Sequence, residues 1–252
     1  MLRLFDLHIH TQYSDGRSPV IDNIRVAEAG GLSVVAITDH LFDSKNSDWI
    51  DKMLSDVRSI KSKVKILAGV EGTILNPEGE ISVNKEIAKK LDLVLVDISY
   101  LTDGILKNPP LNKRRLIENV INAYINACHN PIVNIIAHPF NLGRLSQNKY
   151  SIYLDDFPRQ DLKKVAQVLV KNNKIFEIMN LMPWWFPNIS IQKFTKDYIN
   201  LVKIFAKEGV RFSLGSDAHS DCGVGNLIWA KKIVKEANIE NQLIDPKVFV
   251  ND

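Results

Sequence analysis

Seven short, nearly unbroken apolar stretches, at positions 2–10, 32–38, 64–70, 91–98, 132–137, 175–179 and 210–215, alternate along the chain with segments of helical periodicity. A strand that is apolar at almost every position has both faces buried, as in a parallel sheet covered by helices. The covering helices are predicted at residues 21–29, 49–60, 116–127, 162–170 and 194–205, where apolar side chains recur at helical spacing. Alternation of this kind over 252 residues leaves two α/β architectures, a βα barrel or a doubly wound sheet. A nucleotide-binding doubly wound sheet carries a Gly-x-Gly-x-x-Gly turn or a phosphate loop after its first strand, and neither is present here. A barrel is therefore expected, with seven strands rather than eight. No low-complexity stretch or Gly/Ser-rich linker divides the chain, so a single domain over residues 1–252 is the simplest organisation.

The side chains able to hold a metal ion collect at one end of these strands. His8 and His10 close the first, Asp39 and His40 follow the second, Glu71 follows the third and His138 the fifth. Glu177 and Asn180 end the sixth, and Asp217 and His219 follow the seventh. Barrel enzymes build their sites at the carboxyl ends of the strands, and five of the six histidines fall there. Side chains two apart on an extended strand point the same way, so His8-x-His10 and Asp217-x-His219 can each turn two donors toward one ion. Imidazoles and carboxylates without cysteine suit zinc, manganese or iron with open positions for catalysis. Asp15 lies in an Asp-Gly turn just past the His-x-His strand and joins the candidate ligands on that ground. Asp39, beside His40, is expected to orient an imidazole rather than bind an ion. His129 stands apart in Cys-His-Asn-Pro, at a helix end where it complements the dipole.

Composition removes several classes of function. Lys and Arg total 32 against 29 Asp and Glu, a formal charge of +3, too slight for a nucleic-acid stripe, so nucleic acid is not an expected partner. Cys128 and Cys222 are too few for a disulfide scaffold or a structural zinc site. No apolar run nears 18 residues and the first residues lack a signal-peptide pattern, so no membrane contact and a cytoplasmic location are expected. The oligomeric state has no signature in the sequence. Three residues near the ligand rim are candidates for substrate binding: Arg144 for phosphate, and Trp184 and Trp185 in a Met-Pro-Trp-Trp-Phe-Pro loop that prolines keep from being helical. Lys113-Arg114-Arg115 opens a helix far from the ligands and reads as a solvated face.

Asp6-Leu7-His8-Ile9-His10-Thr11, Ser14-Asp15-Gly16, Thr38-Asp39-His40, Gly69-Val70-Glu71, Ala137-His138-Pro139 and Gly215-Ser216-Asp217-Ala218-His219 follow one another in this order. Together they resemble the motifs of the polymerase and histidinol phosphatase (PHP) family, in particular its small stand-alone phosphoesterases. The resemblance implies a distorted, TIM-barrel-like (βα)7 fold with two to three divalent ions at its mouth and hydrolytic activity, mostly on phosphoesters. It places one ion between His8, His10, Glu71 and Asp217, has Glu71 bridge to a second held also by His138, and gives a third to Asp15, His40 and His219. Glu71, His40 and Asp217 are then the expected catalytic residues. A histidine usual to the family after the fourth strand is missing. Ser99, a poor ligand, stands in its place, and Asp97 is either a substitute oxygen donor or a buried acid hydrogen-bonded to its neighbours.

The expected reaction is hydrolysis of a small phosphorylated substrate by metal-activated hydroxide. Phosphate monoesters are anionic and hydrolyse very slowly, and clustered divalent ions cancel charge, supply hydroxide near neutral pH and align it. Two other functions use the same residues: a carbon–nitrogen hydrolase of the metal-barrel type, and a metal-binding protein whose catalysis has weakened through the change at Ser99.

Overall fold

The computed structural model describes residues 4–143 and 152–250. Seven strands, β1 (Phe5–Ile9), β2 (Val34–Leu41), β3 (Lys65–Thr73), β4 (Leu93–Asp97), β5 (Ile135–Ile136), β6 (Ile175–Met179) and β7 (Arg211–Gly215), form one parallel sheet in sequence order. Helices α1 (Val20–Ala29), α2 (Trp49–Ser59), α3 (Lys85–Ala88), α4 (Lys113–Cys128), α5 (Arg159–Lys171) and α6 (Ile191–Lys207) connect successive strands, and α7 (Ile228–Ala237) follows the last. Helix α2 buries Ile50, Met53, Leu54 and Val57, and α5 buries Leu162, Val165, Ala166 and Leu169. That spacing lays one stripe of each helix on the sheet and leaves the opposite face to water. The result is the seven-stranded α/β barrel that the alternating pattern predicts, nearly closed.

Closure occurs between β1 and β7 near their carboxyl ends. Asp217 N–H donates to His8 O and His10 N–H to Ala218 O, each at 2.9 Å. The buried Asp6 carboxylate clasps the same seam, accepting from Ser216 N–H and Gly225 N–H, both at 2.9 Å. The backbone that completes the barrel thus also carries His8, His10, Asp217 and His219, so the relative placement of these four side chains follows from closure.

Two strands run further than their apolar patterns. β2 continues through Asp39 and His40, and β3 through Glu71 to Thr73, in an unbroken register that pairs His40 with Glu71. These residues lie within strands rather than after them. Ladder hydrogen bonds use backbone groups, so a polar side chain turned into the barrel does not end a strand. β5 is shorter than expected at both ends: the chain joins the sheet only at Ile135, and past Ile136 it turns out at His138, where φ is 28°. Among the described residues, no helix is long and apolar enough to cross a membrane.

Candidate metal centre

The strand ends gather all eight candidate ligands into three contiguous groups, each with donor atoms within 4.8 Å of one another: His10, Asp15, His40 and His219; His8, His10 and Asp217; and His8, Glu71 and His138. Glu71 is the hub. Its Oε2 lies 2.9 Å from His40 Nδ1, 3.2 Å from His8 Nε2 and 3.4 Å from His10 Nε2, while Oε1 lies 2.9 Å from His138 Nε2. Asp217 Oδ1 is 3.1 Å from His10 Nε2 and 3.7 Å from His8 Nε2. Asp15 reaches His219 Nε2 at 3.3 Å and His40 Nε2 at 3.6 Å. The parallel β2–β3 register accounts for the Glu71–His40 contact, because paired residues of neighbouring strands point to the same face. From Glu71 to Asp15 the cluster passes from a buried floor to an exposed lip.

The local backbone is adapted to this gathering. His138 (φ 28°) and Asp217 (φ 57°) occupy the left-handed region, at a cost on the order of 1–3 kcal/mol each. The His138 N–H donates to Glu177 Oε2 at 2.7 Å, and Phe140, also left-handed at φ 66°, is held by its N–H to Tyr124 Oη at 2.8 Å. Gly215 is needed for a different reason. A Cβ there would meet Glu177 Oε1 at 2.1 Å and His8 Cβ at 2.7 Å, so its absence lets the Glu177 carboxylate reach His8.

The donor set fits divalent cations. Four buried atoms of the set have no hydrogen-bond partner among the described residues: His8 Nε2, His10 Nδ1, His40 Nδ1 and Glu71 Oε2. His40 Nδ1 and Glu71 Oε2 are 2.9 Å apart but are not aligned for a hydrogen bond. Each such orphan costs about 1–3 kcal/mol, and ligation of a cation by their lone pairs removes that cost. Ring orientation agrees, since His8 Nδ1 faces Glu177 Oε1 at 2.8 Å and His219 Nδ1 faces the Asp217 carbonyl at 3.0 Å, leaving each Nε2 for the centre.

The ionisable groups also shift one another strongly. Burial opposes protonation of His138, but the hydrogen bond and charge of Glu71, with Asp97 and Glu177 behind it, raise its pKa to about 9. His219 reaches about 9 against its own burial through Asp15 and Asp217. Burial favours the neutral form of Glu71, yet His8, His40 and His138 hold it well below the usual carboxylate range. Asp15, despite desolvation, is held at about 2 by His219, His40 and His10.

A histidine with a raised folded pKa stabilises the fold fully below its ordinary value, near 6.5, and loses that contribution as pH rises through the folded value. Protein stripped of ions by a chelator is therefore expected to melt at progressively lower temperature between about pH 6.5 and 9, the window of His138 and His219. The depressed Asp15 works at the other limb, with stability lost as pH falls through about 2. Ion-loaded protein, its imidazoles held neutral by ligation, should show no decline in the upper window. Melting curves of the two forms across that range provide the check, and parallel curves would refute it.

Other residues fall in different places from those expected. Asp39 does not orient an imidazole. Neighbours along a strand face opposite ways, so it points away from His40, accepting from Thr11 N–H and Thr11 Oγ1 at 2.7 Å and from Ser14 Oγ at 2.6 Å. It ties down the loop that presents Asp15. The orienting carboxylate is Glu177, whose signal was a lone acid inside an apolar strand. Its partner His8 lies 169 residues away in sequence, which hides the pairing from any local reading. Asn180 caps α7, accepting from Trp229 N–H at 2.9 Å and Ala230 N–H at 3.2 Å.

Asp97 and Ser99 line the mouth but stand outside the three groups. Thr73 Oγ1 donates to Asp97 Oδ1 at 2.7 Å and lies 2.5 Å from Ser99 Oγ, which also accepts from Leu101 N–H at 3.1 Å. Burial and the charge of Glu71 raise Asp97 to about 6, so it sits among its neighbours as a buried, hydrogen-bonded acid. Met182–Trp185 form a 3-10 turn rather than a non-helical loop, since Pro183 occupies a first-turn position where its missing N–H costs nothing. Trp185 lines the mouth, whereas Trp184 is 80% exposed and lies outside that lining. Arg144 lies outside the described residues. His129 caps the end of α4, and Cys128 and Cys222 are free thiols.

Fold and donor groups together define a parallel seven-stranded α/β barrel with a candidate divalent-cation site at the carboxyl ends of its strands. The PHP domain profile matches residues 6–180. Over 249 residues the chain is 31% identical to a probable phosphatase of Thermoanaerobacter sp. (strain X514), covering 97% of this chain and 90% of the relative. It is 30% identical over 249 residues to a probable phosphatase of Caldanaerobacter subterraneus subsp. tengcongensis, covering 96% and 87%. This chain belongs to the PHP domain family. Among solved structures, the fold is shared with the histidinol phosphate phosphatase of Lactococcus lactis subsp. lactis, determined with zinc, L-histidinol and phosphate, at a TM-score of 0.62, 18% identity and 94% coverage of both chains.

Proposed function

We propose that this chain is a metal-dependent phosphoesterase, folded as a single domain, that hydrolyses a small phosphorylated substrate. The observation that carries the reading is the shared geometry of the ligands: three groups held together by His8, His10 and Glu71, with both Glu71 oxygens turned to histidines. Such a set suits two to three ions of zinc, manganese or iron, with His8, His10, Asp15, His40, Glu71, His138, Asp217 and His219 as their ligands. Bound ions would supply charge cancellation on the phosphate and hydroxide near neutral pH. The chain's own residues set the arrangement. Glu71 fixes the spacing between neighbouring groups, His40 faces it from β2, Asp217 faces His10 and His8 from the seam, and Glu177 holds the His8 ring so that Nε2 faces inward. A cavity of about 350 Å³ over the ligands suits a small molecule better than a polymer.

The probable phosphatases among the relatives favour ester over amide hydrolysis. Elemental analysis of purified protein, paired with a screen for phosphate release from aryl phosphates and for turnover of amides and cyclic ureas, tests the reading. Ion-dependent phosphate release is the expected result. Silence on every phosphate ester alongside amide turnover would overturn it.

A further inference from the structure

In the outermost donor group, His10, His40 and His219 come from β2 or from the backbone that closes the barrel, whereas Asp15 comes from the loop between β1 and α1. Its side chain is 57% exposed, against 39% for His219 and 18% for His40, so packing does little to fix it. Hydrogen bonds to the residues before it do so instead. Asp39, fully buried on β2, accepts from Thr11 N–H at 2.7 Å and Ser14 Oγ at 2.6 Å through Oδ1, and from Thr11 Oγ1 at 2.7 Å through Oδ2. Thr11 Oγ1 in turn accepts from Tyr13 N–H at 3.2 Å. Beyond Asp15 the loop is tied to the seam, with Arg17 N–H donating to His219 O at 2.8 Å and Asp221 N–H to Ser18 Oγ at 3.0 Å. Asp15 thus hangs between two anchors, one of which is a carboxyl taken out of water. Burying a carboxyl is costly, and the turn itself is already closed by Ser14 N–H to Thr11 O at 3.1 Å. What the carboxyl adds is a fixed placement for Asp15. His40, the next residue along β2, faces the other way and ends with Nε2 3.6 Å from Asp15 Oδ1. One strand therefore supplies both a donor of the group and the clasp for its least supported donor.

We propose that Asp39 is a positioning residue that preorganises Asp15, and that it sets the affinity of the outermost group for an ion without affecting the two inner groups. It rests on the reading of these donors as a metal centre and is independent of the reaction that the centre performs. A donor that is in place only part of the time weakens binding by that fraction. Residues that support metal ligands in this way are worth about 10–100-fold in affinity. Neither inner group contains Asp15, so neither depends on how its loop is held.

Metal-free protein titrated with cobalt(II) against a chromophoric chelator provides the test, and Asp15→Ala identifies the binding step that belongs to the outermost group. Asp39→Ala is expected to weaken that step about 10–100-fold and to leave the other steps within about twofold. Asp39→Asn should recover most of the loss. Its amide oxygen can accept from Thr11 N–H and Ser14 Oγ while its NH2 donates to Thr11 Oγ1, a hydroxyl able to accept. An attraction between the Asp39 charge and the ion would not be recovered by that change. Ser14→Ala removes one of the three bonds at a half-buried position and should weaken the same step by about two- to tenfold. Where Asp39→Ala does not fold, Ser14→Ala and Asp39→Asn carry the test. With Asp15 already replaced by alanine, Asp39→Ala should cost nothing further. An unchanged outermost step, equal weakening of every step, no recovery in Asp39→Asn, or a further loss in the Asp15→Ala background each overturns the proposal. Cobalt uptake with these selective effects but no turnover of any phosphate ester would sink the phosphatase reading and leave the role of Asp39 standing. No cobalt uptake by the unaltered protein would overturn the metal centre and the role of Asp39 together.

Discussion

Alanine at both His8 and His10 is expected to strip the protein of bound metal and to lower phosphate release by more than about a thousandfold. Both rings are fully buried, and each belongs to two of the three ligand groups, so no group keeps its full set of donors when they are lost. The deletion also acts on the acids. Asp217 loses two and Glu71 one of the imidazoles that hold their carboxyls ionised, and removing one partner of a buried ion pair costs about 3–5 kcal/mol. A lower melting temperature should therefore accompany the loss of metal, even in chelator. Elemental analysis and a phosphate-release assay on the same preparation read the two main effects, with His129→Ala, an exposed helix-end change, as the control that leaves both unchanged. A double variant that retains its metal, or turns over substrate without it, would rule out the proposed centre.

Glu177→Gln is expected to weaken metal binding by about 10–100-fold while leaving the fold in place. The change is isosteric, yet it removes an acceptor that the site uses twice. One carboxylate oxygen faces His8 Nδ1 at 2.8 Å and the other accepts the His138 N–H at 2.7 Å. An amide can accept at one oxygen only, so either the His8 ring loses the partner that fixes its tautomer or the left-handed turn at His138 loses its anchor. Competition against a chromophoric chelator measures the affinity, and circular dichroism melting in chelator confirms the fold. Unchanged affinity would show that His8 and His138 are positioned without Glu177.

Much of the fold is legible in the sequence because its determinants are local. Continuous apolar runs mark strands buried on both faces, and residues 175–179 are predicted and observed with the same bounds. Strand ends are less legible wherever a polar residue turns inward. Asp39, His40 and Glu71 break the apolar pattern but continue the ladder, since the backbone bonds are indifferent to the side chain. The eight ligand candidates are legible for a related reason: metal-binding side chains are chemically unlike the strands that carry them, and the strand count gives each a place at the rim.

The supports around those candidates were not legible. Asp39 lies next to His40 in sequence, but strand alternation sends it to the other face, where it holds the Thr11–Ser14 turn. The supporting carboxylate outside the candidate ligands that faces a histidine ring is Glu177, brought to His8 by barrel closure and admitted by the missing Cβ at Gly215. Ser99 presents a similar case, since its hydroxyl is engaged with Thr73 and the Leu101 N–H rather than directed at an ion.

The sequence by itself determined the seven-fold alternation, the rim on which the chemistry sits and the kinds of donor that occupy it. These are properties of short segments, read through periods of two and 3.6 residues and through side-chain chemistry. Only the tertiary structure decided which carboxylate serves which imidazole, that Glu71 is the hub of the cluster, and that Asp39 holds the loop of Asp15. Those relations depend on strand register and on closure of β1 against β7, which join residues far apart in the chain through backbone hydrogen bonds that leave no local trace in the sequence.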